Sequence, residues 1–144
     1  MKTILPDYKG HLLQQQFTAD QPNQRWVSDV SCFKLGDHYL YVCVIIDLFS
    51  RKVIAYKISK KNSTQLITAT FKIAYEERNP PTGLIFHSDR GAQYTSHRFQ
   101  QLLHEHKVQQ SFSRPGEPYD NAVAESFFAS LKKEELYQRN ITSD

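Results

Sequence analysis

The run YLYVCVIID, from Tyr39 to Asp47, is apolar at almost every position. A strand with one wet face alternates apolar and polar residues, and this run does not alternate. It therefore reads as a strand covered on both faces, at the centre of a sheet. Around it the chain supplies the rest of a layered domain. Trp26 to Phe33 reads as a first strand, Gly36-Asp37 as a turn, and Lys52 to Ile58 as a third strand, so the first half is an antiparallel meander. Asn62 or Ser63 caps a helix with Leu66, Ile67, Thr70, Phe71 and Ala74 at helical spacing, and Pro80-Pro81 bars its continuation. Leu84 to His87 is a fourth strand. Thr95 or Ser96 caps a second helix carrying Phe99, Leu102 and Leu103, and Val108 to Phe112 is a short fifth strand. Residues 114–119 (RPGEPY) read as a loop. Asp120 or Asn121 caps a last helix to about Tyr137, with Val123, Ala124, Phe127, Phe128 and Leu131 as its apolar stripe. The order is β-β-β-α-β-α-β-α, an α/β chain with a mixed five-stranded sheet flanked by helices.

Length and composition agree with one folded domain. The chain has 144 residues, 40% hydrophobic and 12% aromatic, which excludes a disordered polar chain. Residues 1–24 are polar and Gln-rich and read as a linker or arm, residues 25–138 as the core, and residues 139–144 as a tail. No apolar run reaches the roughly 20 residues of a membrane span, and the N-terminus lacks a signal-peptide pattern, so the expected location is cytoplasmic. Cys32 and Cys43 both fall in strand-like runs and are expected to be buried thiols. The net charge is +3. Arg51, Lys52, Lys57, Lys60 and Lys61 form a stretch without acids, either a solvated edge or a phosphate-contacting one.

Three acids stand in apolar settings. Asp29 lies inside WVSDVS, Asp89 ends an apolar strand before Arg90 and Gly91, and Glu125 lies in the first turn of the last helix, in NAVAESFF. Carboxylates brought together repel, and a bound divalent cation with oxygen preference, magnesium or manganese, removes the conflict. Two such ions about 4 Å apart suit in-line phosphoryl displacement. Plainer roles compete: a strand-edge acid for Asp29, a turn acid for Asp89 and a helix-dipole acid for Glu125. Asp47 and Asp120 are read as turn or cap residues. His87 is read as a supporting or structural residue on the opposite face of its strand from Asp89. His97, His104 and His106 read as solvated, and Trp26, Phe127 and Phe128 as core.

The segments HLLQQQFTADQPNQRW, WVSDVS, VIIDLFSRKVIAY, HSDRGAQYTS and SRPGEPYDNAVAESFFASLKKE occur in this order. Together they resemble the catalytic core of DDE transposases of the insertion-sequence-three family, relatives of retroviral integrases. The resemblance implies a ribonuclease H-like fold with Asp29, Asp89 and Glu125 as ligands of a two-metal site. It implies that Lys132, two helical turns beyond Glu125, contacts DNA near the scissile phosphate, and that the 114–119 loop flanks the active site. Arg90, Arg114, Tyr119 and Asn121 are the further DNA contacts expected. The implied reaction is metal-dependent cleavage at DNA 3′ ends and strand transfer. The implied partners are element ends, target DNA and further copies of the chain in a homodimer or larger oligomer. Family members also carry an upstream helix-turn-helix region, for which residues 1–24 are too short and polar. The expectation is an isolated catalytic core, with a catalytically silent DNA-binding or assembly fragment as the alternative.

Overall fold

The computed structural model describes residues 19–113 and 122–133. Among them the chain forms strands β1 (Arg25–Leu35), β2 (His38–Asp47) and β3 (Lys52–Ser59), helix α1 (Thr64–Arg78), strand β4 (Ile85–Ser88), helix α2 (His97–Glu105), strand β5 (Gln109–Phe112) and helix α3 (Ala122–Leu131). The expected element order is the observed one. The sheet runs β3-β2-β1-β4-β5. β1, β2 and β3 pair antiparallel, and β4 joins β1, and β5 joins β4, in parallel.

The unbroken apolar run becomes β2, with Val42 through Asp47 all buried. Its two faces feed two cores. Cys43 and Ile45 point into a cluster with Trp26, Leu66, Ile67, Phe71, Phe86, Tyr94, Phe99 and Leu103, beneath α1 and α2. Val42, Val44 and Ile46 point into a second cluster with Phe33, Leu35, Ala124, Phe128 and Leu131, beneath α3. Phe71 is the hub of the first core, with its ring 5.8 Å from Phe86, 6.2 Å from Phe99 and 6.3 Å from Trp26. The register shifts between Ile45 and Ile46 opposite β3. A bulge there turns Ile54 and Ala55 toward the same core, which explains why β3 alternates only loosely in sequence.

Helix ends follow the capping rules. The Ser63 hydroxyl accepts the Leu66 N–H at 3.3 Å, and the Ser96 hydroxyl accepts the Phe99 N–H at 3.2 Å. α1 ends at Asn79, in the left-handed region with φ 46°, one residue before Pro80. The predicted cap of α3 at Asp120 or Asn121, and its extension to Tyr137, lie outside the described residues.

Some sequence expectations change. Cys43 is buried, but Cys32 is exposed. Cys32 and Lys34 project from the face carrying α1 and α2, beyond the reach of those helices, whereas Phe33 and Leu35 on the other face are covered by α3. His106 is half-buried, its ring 4.5 Å from that of Tyr75 and its Nδ1 2.8 Å from the Leu102 carbonyl oxygen. His97 and His104 are exposed as expected. Trp26 and Phe128 are core, while Phe127 is half-buried at the edge of α3 with its ring 5.3 Å from Tyr56. Among the described residues no helix is long and apolar enough to cross a membrane.

Candidate active site

β1 and β4 run side by side in parallel; β4 ends at Ser88, while β1 continues to Leu35 against β2 alone. The ladder between them pairs Arg25 with Ile85, Trp26 with Phe86 and Val27 with His87. Continuing that register by two residues sets Asp29 opposite Asp89, on strands roughly 5 Å apart before they diverge. Strand parity settles which way Asp29 points. Trp26 and Val30 belong to the core under α1 and α2, while Phe33 and Leu35 belong to the core under α3. Asp29 shares the odd-numbered face with the latter, and its partner across the sheet, Val44, belongs to the α3 core too.

Each carboxylate is oriented by main chain. Asp29 Oδ1 accepts the Val30 N–H at 2.9 Å. Asp89 Oδ1 accepts the Gly91 N–H at 2.7 Å, closing a tight Asx turn. A Cβ on Gly91 would stand 3.0 Å from that same oxygen, so any larger residue there would push the carboxylate by a few tenths of an ångström. Asp89 is thus a turn residue, a role compatible with the ligand role expected of it. Asp29 is half-buried and Asp89 exposed.

Glu125 lies on α3. Ala124, Phe128 and Leu131 face the sheet, and Phe127 leans toward β3 against Tyr56. At 100° per residue, Glu125 and Lys132 fall on the opposite flank, toward β1. The Lys132 ammonium lies 6.0 Å from the centroid of the Phe33 ring on β1, which fixes that orientation. Glu125 is exposed. Among the described residues no three His, Cys, Asp or Glu side chains stand close enough to hold a metal ion. The structure sets Asp29 on β1 and Asp89 just past the end of β4, its parallel neighbour, and Glu125 on α3, without a cluster of the three acids among the described residues.

His87 lies on β4, two residues before Asp89. Its parallel partner is Val27, so it shares the α3 face with Asp29, and the expectation that it points away from the acids is corrected: residues i and i+2 of a strand share a face. The ring is buried, with Nδ1 2.8 Å from the Ser111 hydroxyl and Nε2 3.1 Å from that of Ser113. Burial lowers its pKa to about 4, so it is neutral at physiological pH. Arg90 is exposed beside the acids, its guanidinium 5.4 Å from the Phe112 ring centroid. Arg114, Tyr119 and Asn121 lie outside the described residues, as does Asp120. Asp47 is structural: fully buried, it accepts the N–H of Phe49 and of Asn23 and stands 3.9 Å from Arg78.

Sequence reasoning passed over Tyr94 and Ser28. Tyr94 is buried in the core, and its hydroxyl lies 2.8 Å from the Ser28 hydroxyl, beside Asp29. Burial first, then the nearby Cys43, Asp29 and Asp89, push its pKa well above the usual tyrosine value despite the Ser28 hydrogen bond. A tyrosine in a Gly-containing loop reads as a surface residue, and only its place in HSDRGAQYTS could have drawn attention to it.

The β-β-β-α-β-α-β-α order, with a five-stranded mixed sheet in the order β3-β2-β1-β4-β5, defines an α/β core with helices packed on the sheet. The integrase core domain model matches residues 19–118, and a second integrase core domain model matches residues 106–143. The chain belongs to the integrase core domain family. It is 41% identical over 126 residues to the transposase for insertion sequence element IS904 of Lactococcus lactis subsp. lactis (strain IL1403), covering 88% of this chain and 50% of that protein. It is 40% identical over 133 residues to the transposase InsF for insertion sequence IS3A of Escherichia coli (strain K12), covering 92% of this chain and 46% of that protein. The chain spans about half the length of these curated relatives. In fold it is similar to a chain of the simian T-cell lymphotropic virus intasome solved with PP2A regulatory subunit B56 gamma, with TM-score 0.74 and 20% identity over 88% of this chain and 45% of that one. It is also similar to the HTLV-2 integrase catalytic core domain solved with magnesium in a trimeric form, with TM-score 0.67 and 20% identity over 85% of this chain and 76% of that one.

Proposed function

We propose that this chain is the catalytic core of a DNA transposase that cuts DNA at 3′ ends and joins them to a target by in-line phosphoryl transfer. The observation that carries the reading is the juxtaposition of Asp29 on β1 with Asp89 just past the end of its parallel neighbour β4, with Lys132, on the Glu125 flank of α3, lying over Phe33 of β1. Membership of the integrase core domain family and the transposase relatives support it over a silent assembly fragment.

The donor set fits magnesium or manganese. All three candidate ligands are carboxylates, hard oxygen donors without a competing thiolate or imidazole among them. Asp29, Asp89 and Glu125 would hold the cations, which when bound neutralise the clustered carboxylates and activate the attacking oxygen. The protein's own groups do the rest. The main-chain N–H groups of Val30 and Gly91 fix the orientation of two carboxylates before any substrate arrives. Lys132, on the Glu125 flank, contacts the phosphate backbone near the cut, and Arg90 contacts it from the rim of β4. Arg114, Tyr119 and Asn121 contribute further DNA contacts.

In the first step a water oxygen bonds to the scissile phosphorus as the P–O bond to the 3′ oxygen breaks, leaving a 3′-hydroxyl. In the second, that hydroxyl oxygen bonds to a target phosphorus as a target 3′ oxygen leaves. One P–O bond forms as one breaks, so joining needs no nucleotide cofactor and no covalent protein–DNA intermediate. Element ends and target are the DNA partners. The protein works in the cytoplasm as a homodimer or larger oligomer.

The test is manganese titration by calorimetry on this chain and on Asp29→Asn and Asp89→Asn, followed by nicking and strand-transfer assays of the same three proteins. Binding and activity lost in both variants is the expected result. Full metal-dependent activity in Asp89→Asn overturns the assignment.

A further inference from the structure

We propose that Tyr94 and Ser28 form a positioning pair that sets the spacing of Asp29 and Asp89, a role that rests on the metal-site reading above. The need for such a device follows from the sheet. The β1–β4 ladder pairs residues only as far as Val27 and His87. Asp29 and Asp89 lie beyond it, where β1 continues against β2 alone and β4 gives way to a loop. Two carboxylates that must share cations have to be held at a fixed separation across a gap that the ladder no longer spans.

The side chains of Ser28 and Tyr94 span it. Ser28 immediately precedes Asp29, and Tyr94 lies on the loop that begins with Asp89. The Ser28 hydroxyl donates to the Val44 carbonyl oxygen at 2.9 Å. With its one proton directed at that carbonyl, Ser28 Oγ has lone pairs to accept from the Tyr94 hydroxyl at 2.8 Å, and it also lies 3.6 Å from Cys43 Sγ. The relay Tyr94 O–H to Ser28 Oγ–H to Val44 C=O thus links the loop after β4 to β1 and β2. At the other end of the residue, Gln110 Nε2 on β5 donates to the Tyr94 main-chain carbonyl at 2.8 Å. The loop is closed on the Asp89 side by the Thr95 N–H on the Gly91 carbonyl at 3.0 Å and the Gly91 N–H on Asp89 Oδ1 at 2.7 Å. A continuous path therefore runs from the Asp89 carboxylate through the turn to Tyr94 and across to the residue beside Asp29.

The hydroxyl is not explained by packing. The Tyr94 ring sits in the aromatic core, 6.0 Å from Phe99 and 6.3 Å from Phe86, and is 3% exposed. A phenylalanine would fill that space without a polar atom to satisfy. What the hydroxyl adds is the lateral tie to β1.

The experiment compares manganese affinity, by calorimetry and by the spin-resonance signal of free manganese, for the 144-residue chain, Tyr94→Phe, Ser28→Ala, the double variant and Asp89→Asn. Amide hydrogen exchange is followed at Gly91 and Thr95. In Tyr94→Phe the aromatic packing is kept, and manganese is expected to bind roughly tenfold more weakly, as when a partner that orients a ligand is lost. Gly91 and Thr95 amides should exchange faster in the same variant. The double variant should bind no more weakly than the worse single one, because both remove the same bond. Wild-type manganese affinity in Tyr94→Phe, with binding abolished in Asp89→Asn, overturns the positioning role and leaves the metal site standing. An equal manganese response in wild type and Asp89→Asn overturns the metal-site reading instead. The pair is then judged on exchange alone: faster Gly91 and Thr95 amides in Tyr94→Phe support the tie, and unchanged rates overturn it. Should Ser28→Ala fail to fold, Tyr94→Phe carries the comparison by itself.

Discussion

Replacing Asp47 by asparagine separates the two kinds of acid in this chain. Asp47 has no exposed surface, and its two oxygens are both used: Oδ1 accepts the Phe49 N–H at 2.9 Å, and Oδ2 accepts the Asn23 N–H at 3.1 Å. It thereby ties the end of β2 to the turn that follows and to the segment entering β1. Asparagine offers one acceptor oxygen and one amide donor, so one main-chain N–H loses its partner and faces another donor. Losing a buried hydrogen bond to a charged acceptor costs about 1.5–3 kcal/mol. The Arg78 contact is long at 3.9 Å, and Arg78 is about a third exposed, so screening holds its share to about 1 kcal/mol at most. The sum is about 2–4 kcal/mol, or a fall in Tm of roughly 8–15 °C for a domain of this size. Thermal melts followed by circular dichroism, paired with manganese titration, make the assay. Asp47→Asn should melt early and bind manganese as the wild type does. Asp29→Asn and Asp89→Asn should bind manganese poorly and melt near the wild-type temperature. A melting temperature within about 2 °C of wild type for Asp47→Asn would refute the structural assignment, and so would loss of manganese binding in that variant.

Three further outcomes are expected. His87 has a folded-state pKa of about 4, lowered by burial from an unfolded value near 6.5. Protonation therefore favours the unfolded chain. The contribution is fully present above pH 6.5 and is lost as pH falls through the window from 6.5 to 4, up to about 3 kcal/mol; urea midpoints of wild type and His87→Gln across that range should converge toward acid pH, and parallel curves would count against the buried neutral ring. In Gly91→Ala the new methyl presses on Asp89 Oδ1 from 3.0 Å, so manganese affinity should fall roughly tenfold while Tm changes little; unchanged affinity would show that the Asx turn does not aim the carboxylate. Phe71→Ala empties the hub shared by Trp26, Phe86 and Phe99 and should cost about 3–5 kcal/mol by urea denaturation, a loss below about 1 kcal/mol being incompatible with that packing.

Much of the fold was legible because strong local signals agreed. The YLYVCVIID run, the Ser63 and Ser96 caps and the Pro80-Pro81 stop each act within a few residues of chain, and each appears where its chemistry predicts. The misreadings came where burial depends on a distant element. Cys32 looked buried by its strand, but the helix layer on its face stops short of it. His106 looked solvated, yet α1 brings Tyr75 against it. His87 shares the face of Asp29, not the opposite one, because its parallel register is with Val27. The candidate site was legible as residue types in motifs. The hydroxyl tie behind it was not, because Ser28 and Tyr94 carry no pattern that couples them across the intervening chain.

The sequence by itself determined the local grammar: which segments are strands and helices, where they stop, and that three acids sit in apolar company. Those properties follow from side-chain periodicity, capping and turn chemistry, which act over a few residues. The resemblance implied that strands one and four are neighbours; only the tertiary structure gave the register, Val27 beside His87, that sets Asp29 opposite Asp89. The tertiary structure alone turned the Glu125 flank of α3 toward β1 through the seating of Phe127 on Tyr56 and of Phe128 on Phe33. Those outcomes depend on which buried faces match in shape and area across the whole sheet, a condition that no single stretch of the chain carries.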